Sequence, residues 1–170
     1  EHWVVLEIGL QLRDALLLEG ANVVMTRERP DAQLTNRGRA DIANEAGADI
    51  FYRLHCNSRS SKTATGIVVY CPLNSDYARA VAEPKEYRQY AEALLAAMLA
   101  ETGAKKGNVK LNDQFVGNNW AKMPCFLVEM GYMSTPAEDV LLSTPEYQQK
   151  LVRGMVEGAY QVALLRGVIK

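Results

Sequence analysis

The sequence predicts an α/β fold in three layers, with a mostly parallel central sheet flanked by helices on both faces. Three observations carry this. Short apolar runs of four to seven residues alternate along the chain with amphipathic stretches of helical spacing. Runs such as Ile67-Val68-Val69 are apolar without interruption, which suits strands covered on both sides. Glycine or proline punctuates the boundaries, as at Gly20, Gly47, Pro72, Pro84, Pro136 and Pro145.

The elements follow in order. Val5, Ile8, Leu12, Ala15 and Leu16 recur at three- and four-residue spacings, with Arg13, Asp14 and Glu19 between them, so the chain opens on an amphipathic helix stopped by Gly20. Asn22-Val23-Val24-Met25-Thr26 is β-branched and apolar and predicts a strand ending at Arg27. Residues 34–46 predict a helix with Thr35 as N-cap and Gly47 as its stop. Strands are expected over 49–55, 66–71 and 125–129, and helices over 84–101, 136–142 and 145–165. The stretch 102–124 has no clear period and predicts one short strand within long connections.

Composition narrows the function. A chain of 170 residues argues for one domain over 1–170. Its 19 basic and 20 acidic residues give a net charge of −1, which argues against a nucleic-acid partner, since such binding draws on clustered positive charge. The longest apolar run, Ala93 to Ala100, falls far short of the roughly 20 residues that span a bilayer, so no transmembrane segment is expected. Cys56, Cys71 and Cys125 are odd in number and form no CxxC pair, so small buried thiols are the simplest reading. The chain opens at Glu1 without a Met, so it reads as processed or incompletely recorded.

Ligands in open α/β sheets bind beyond the carboxyl ends of strands. Those ends carry Arg27, His55, Tyr70 and Glu129, and a histidine and a glutamate at strand ends can converge on one cleft or simply meet water. A cysteine nucleophile beside His55 is a weak option, because Cys56 adjoins it and neighbours on a strand face opposite ways. Zinc chemistry is sharper: a catalytic zinc takes three protein ligands and leaves one position open. With only His2 and His55 in the chain, a third ligand must be a carboxylate or lie elsewhere, and His2 reads as a frayed terminal residue.

These residues resemble the zinc-dependent N-acetylmuramoyl-L-alanine amidases of bacterial cell walls and their phages. The similarity runs in order along nearly the whole chain. Glu1 with Val4-Val5-Leu6 and Leu12 looks like the family's Glu-x-x-hydrophobic helix, and Met25-Thr26-Arg27 like its strand ending in Thr-Arg. Arg37 and Ala43-Asn44 match the following helix, and Leu54-His55-Cys56-Asn57-Ser58 resembles its hydrophobic-His-Ala-Asn-Ser motif. Gly66-Ile67-Val68-Val69-Tyr70, Met123-Pro124 and Leu127-Val128-Glu129-Met130-Gly131-Tyr132 match the later strands, and Glu146-Tyr147-Gln148 with Gly158 the closing helix.

The resemblance implies hydrolysis of the amide between N-acetylmuramic acid and L-alanine in peptidoglycan, outside the cytoplasmic membrane. It implies Glu1 and His55 as zinc ligands, Glu129 as the catalytic carboxylate and Asn57 as a residue that positions substrate. In the family a first strand with an Asp-Pro-Gly-His motif precedes the position of Glu1 and supplies a further zinc-binding histidine, so the chain is expected to be N-terminally incomplete. Residue 53, usually small and polar there, is Arg, and strand alternation turns it toward the face of His55. That departure motivates an alternative, a peptidoglycan-binding or regulatory module that keeps the fold. Lys105 to Trp120, with lysines, asparagines and aromatics, is the stretch expected to tune substrate selectivity or to be a solvated connection.

Overall fold

The computed structural model describes residues 1–73, 81–105 and 107–170. The first helix, α1 (His2–Leu18), ends as expected at Gly20, whose φ of 83° favours a residue without a Cβ. Helix α2 (Asn36–Glu45) starts at Thr35, whose Oγ1 accepts the Gly38 N–H at 3.0 Å. Strands β1 (Phe51–Asn57) and β2 (Ile67–Cys71) follow. Helix α3 (Pro84–Thr102) is opened by a capping box of Glu83 and Glu86. The aperiodic stretch holds the expected short strand, β3 (Gly107–Leu111), and a one-turn helix, α4 (Val116–Trp120), that its spacing did not announce. Strand β4 (Cys125–Tyr132) runs three residues beyond expectation, and α5 (Pro136–Leu142) and α6 (Pro145–Leu165) match theirs.

The sheet order is β1-β4-β2-β3. β1 pairs with β4 and β2 with β3 in parallel, while β2 and β4 run antiparallel, so the sheet is mixed with parallel pairing in the majority. The strand alternation divides the layers. Cys56, Ile67, Val69, Cys71, Phe126, Val128 and Met130 face the main core, built with α1, α3 and α6. Phe51 and Cys125 face the other way, onto Ala40 and Ala43 of α2 and Ala121 and Met123 around α4. Helices α3 and α6 touch backbone to backbone: a Cβ on Gly154 would lie 2.6 Å from Met98 Cα.

One expected strand is corrected. Asn22 to Thr26 joins no sheet, and Val24 is 59% exposed despite its β-branched side chain. The physical reason lies beside it. β1 forms the sheet's edge among the described residues, and a cavity of about 1420 Å³ lies between its outer side and this segment, lined by Val5, Gly9, Leu16, Met25, Tyr52 and Leu54 among others. Strand propensity describes a residue's fit to a pleated, partnered surface, and among the described residues no strand pairs with this segment.

Candidate functional site

The site is assembled at the carboxyl ends of β1 and β4. The register sets His55 opposite Glu129, and Arg53 opposite Leu127, so all four share the face that carries α2 and α4. Glu1, the residue before α1, makes no side-chain cap bond, and its carboxylate turns instead to β1. Its Oε1 lies 3.0 Å from His55 Nδ1 and accepts the Cys56 N–H at 3.3 Å. Three of the four residues expected at the site are thereby brought together. The fourth, Asn57, follows a register shift in β1, and its Oδ1 accepts the Ser58 N–H at 2.9 Å. That bond is the local turn chemistry of asparagine.

The electrostatics of the three are distinct. Burial, then the neighbouring Glu1 carboxylate, push the Glu129 carboxyl up to about 7. Its Oε2 is buried with no hydrogen-bond partner, a feature concentrated at sites that await a ligand or proton. Burial lowers His55, and the guanidinium groups of Arg53 and Arg39 act the same way, while the Glu1 hydrogen bond opposes them. The net lowering favours the neutral imidazole, the form a metal ligand requires. No group of three His, Cys, Asp or Glu side chains arranged to hold a metal occurs among the described residues. Glu1 and His55 fit as two converging donors of a zinc set, one carboxylate oxygen and one imidazole nitrogen.

Arg53 faces this side of the sheet but does not reach the pair. Its guanidinium donates to Asn118 Oδ1 at 2.7 Å and to Asn36 Oδ1 at 2.8 Å, and lies so close over Gly117 that a Cβ there would stand 2.8 Å from Cζ. Only 7% exposed, it ties β1 to α4 and to the first residue of α2. Arg27 and Arg37 also make structural contacts. Arg27 donates to the His2 carbonyl at 2.9 Å, and Arg37 stacks 3.6 Å over the Trp120 ring. His2 is exposed, as expected of a terminal residue.

Two contributors escaped the sequence reading. Arg39, rather than Arg37, reaches back to Thr26 Oγ1 at 3.3 Å and holds the unpaired segment to α2. Glu138 accepts the Gly66 N–H and the Tyr132 N–H, each at 2.7 Å, joining the residue before β2 to the end of β4 beyond Glu129. Its place in the first turn of α5 could have flagged it only as a helix-dipole partner.

The cysteine option fails on geometry. Cys56 faces the main core, away from His55, and burial pushes the thiols of Cys56, Cys71 and Cys125 each up to about 12. All three are expected to stay unmodified by a charged thiol reagent at pH 7.5 in the native protein and to react only on unfolding; prompt labelling of one native thiol, read by mass spectrometry, would contradict this.

Comparison with known proteins agrees with the geometry. The chain is 28% identical over 172 residues to the germination-specific N-acetylmuramoyl-L-alanine amidase of Bacillus subtilis (strain 168), covering 93% of this chain and 68% of that protein. It is 28% identical over 170 residues to the sporulation-specific N-acetylmuramoyl-L-alanine amidase of the same organism, covering 98% of this chain but 61% of that one. The fold superimposes on the N-acetylmuramyl-L-alanine amidase of Mycobacterium smegmatis with a TM-score of 0.84 at 25% identity, over 98% of this chain and 77% of that one. The amidase of Clostridium difficile 630 gives 0.79 at 25% identity, over 94% and 81%. The family profile for N-acetylmuramoyl-L-alanine amidase matches residues 1–161, so the chain belongs to the N-acetylmuramoyl-L-alanine amidase family.

Proposed function

We propose that this protein hydrolyses the amide joining N-acetylmuramic acid to L-alanine in peptidoglycan, acting outside the cytoplasmic membrane and depending on zinc. One observation carries the reading: the Glu1 carboxylate and the His55 imidazole meet at 3.0 Å, with the Glu129 carboxyl opposite His55 on the neighbouring strand. A carboxyl near neutrality can both take and return a proton. Glu129 removes a proton from the attacking water as its oxygen bonds to the scissile carbonyl carbon. When the carbon–nitrogen bond breaks, Glu129 returns that proton to the departing L-alanine amine. When bound, zinc supplies Lewis-acid polarisation of the carbonyl and of the water. Glu1 and His55 would hold it as two converging donors. Asn57 positions substrate through its amide nitrogen.

A second reading, a non-hydrolytic peptidoglycan-binding or regulatory module, is favoured by one fact: no three-ligand group is assembled among the described residues. The two separate on purified peptidoglycan, by counting newly exposed L-alanine amines with zinc and with a chelator, alongside zinc per chain by elemental analysis. Zinc-dependent release, strengthened to about one zinc per chain when a strand bearing Asp-Pro-Gly-His is placed ahead of Glu1, is the expected result. Retention on the wall without release, in either form and at any zinc level, would establish the binding module instead.

A further inference from the structure

The sheet face that carries His55 and Glu129 continues past them. The register sets Val68 of β2 beside Glu129 and Asn108 of β3 beside Val68, so His55, Glu129, Val68 and Asn108 form one row across all four strands. The next row on the same face is Arg53, Leu127, Tyr70 and Lys110. Strands spaced about 4.8 Å apart put Asn108 about 10 Å from Glu129, with Lys110 one side-chain step further along β3.

The far end of this second row is built rather than bare. Phe115 packs edge-on against Tyr70, with ring centroids 5.1 Å apart, and Lys110 Nζ stands 5.7 Å over the Tyr70 ring. The Asn118 amide reaches the Tyr70 carbonyl at 3.3 Å, fixing the helix that presents this corner. All three side chains of the corner are half-buried, and no carboxylate pairs with Lys110 among the described residues. An ammonium held over an aromatic ring, on the sheet face of the reactive centre and with no carboxylate partner among the described residues, is suited to receive a carboxylate.

Resting on the proposed amidase reading, we infer that Lys110, seated over Tyr70, is a specificity-determining residue that receives a carboxylate of the substrate's peptide portion. The sugar rings of the substrate are neutral, while its peptide carries carboxylates, so a cation with no carboxylate partner among the described residues marks the peptide side of the cleft. The stem peptide then crosses β4 and β2 toward β3, and amidation of its second residue weakens binding. Lys110 touches neither the water nor the scissile bond, so it acts on affinity rather than on the chemical step.

The test uses N-acetylmuramoyl-L-alanyl-D-glutamate and its counterpart with both glutamyl carboxylates amidated, titrated calorimetrically into zinc-supplemented protein. A Glu129→Gln background keeps the probes intact. The acid is expected to bind about fivefold more tightly than the amide. Lys110→Gln removes the difference, Lys110→Arg keeps it, and Lys110→Glu reverses it. Equal affinity for the two probes with Lys110 present, or a preference that survives Lys110→Gln, overturns the inference. Turnover of both probes by the protein with Glu129 intact is read separately. Failure of that turnover counts against the amidase reading, whereas the ratio of affinities alone decides the role of Lys110.

Discussion

Replacing Glu129 with Gln is expected to lower turnover of the muramoyl-L-alanine amide by about 10³-fold while leaving zinc content and fold unchanged. Gln is nearly isosteric and neutral, so the site keeps its shape and loses only the group that carries the proton. Liberated L-alanine amine measured against zinc per chain checks this, and an undiminished rate would remove Glu129 from the chemistry. A second readout needs no substrate. Burial and Glu1 raise the Glu129 carboxyl from 4.5 to about 7, so the folded state holds this proton more tightly than the unfolded chain. The associated stability is complete below pH 4.5 and is lost as pH rises through 7. Metal-free protein with Glu129 should therefore lose about 1–2 kcal/mol relative to Glu129→Gln between pH 4 and pH 8, after allowance for solvent screening. Parallel urea melts at the two pH values that show no divergence would mean the carboxyl is not so placed.

Gly154→Ala is expected to destabilise the protein by about 3 kcal/mol, a fall in Tm of about 10 °C. The added Cβ would stand 2.6 Å from Met98 Cα, 3.2 Å from Met98 N and 3.3 Å from the Ala97 carbonyl oxygen. These are backbone atoms of α3, which cannot swing aside as a side-chain tip can, so the two helices must part. Their seam contains Leu94, Met98, Leu151 and Met155, all fully buried, and separating them thins the core under β2 and β4. The helical preference for Ala over Gly, about 1 kcal/mol, acts the other way and is too small to reverse the sign. A thermal melt shifted by less than 2 °C would show that α3 and α6 accommodate the methyl.

Where the sequence reading succeeded, the signal was local. The cap at Thr35, the prolines at 84, 136 and 145 and the glycine at 20 mark helix ends through backbone chemistry that needs no distant partner. Uninterrupted apolar runs marked β2 and β4 because both faces of those strands are covered. The failure at Asn22 to Thr26 is equally physical: the residues carry strand propensity, but pairing is a property of two segments. α4 was missed because a five-residue helix offers too little periodicity to register.

The candidate site divides in the same way. Motif order along the chain named Glu1, His55 and Glu129, and alternation predicted that Arg53 would share the face of His55. Only the tertiary structure decided that Glu1 spans 54 positions to lie 3.0 Å from His55, and that Arg53 is held off by Asn36 and Asn118. The burial that raises Glu129 and lowers His55 is likewise a product of packing, since desolvation depends on neighbours brought in from distant elements. The sequence by itself determined which groups are available and where the longer helices and the paired strands run, because propensity and hydrophobic period are written in consecutive residues. The tertiary structure decided which of those groups meet, which amide each carboxylate holds and how tightly each proton is bound, because those depend on distances that no local pattern encodes.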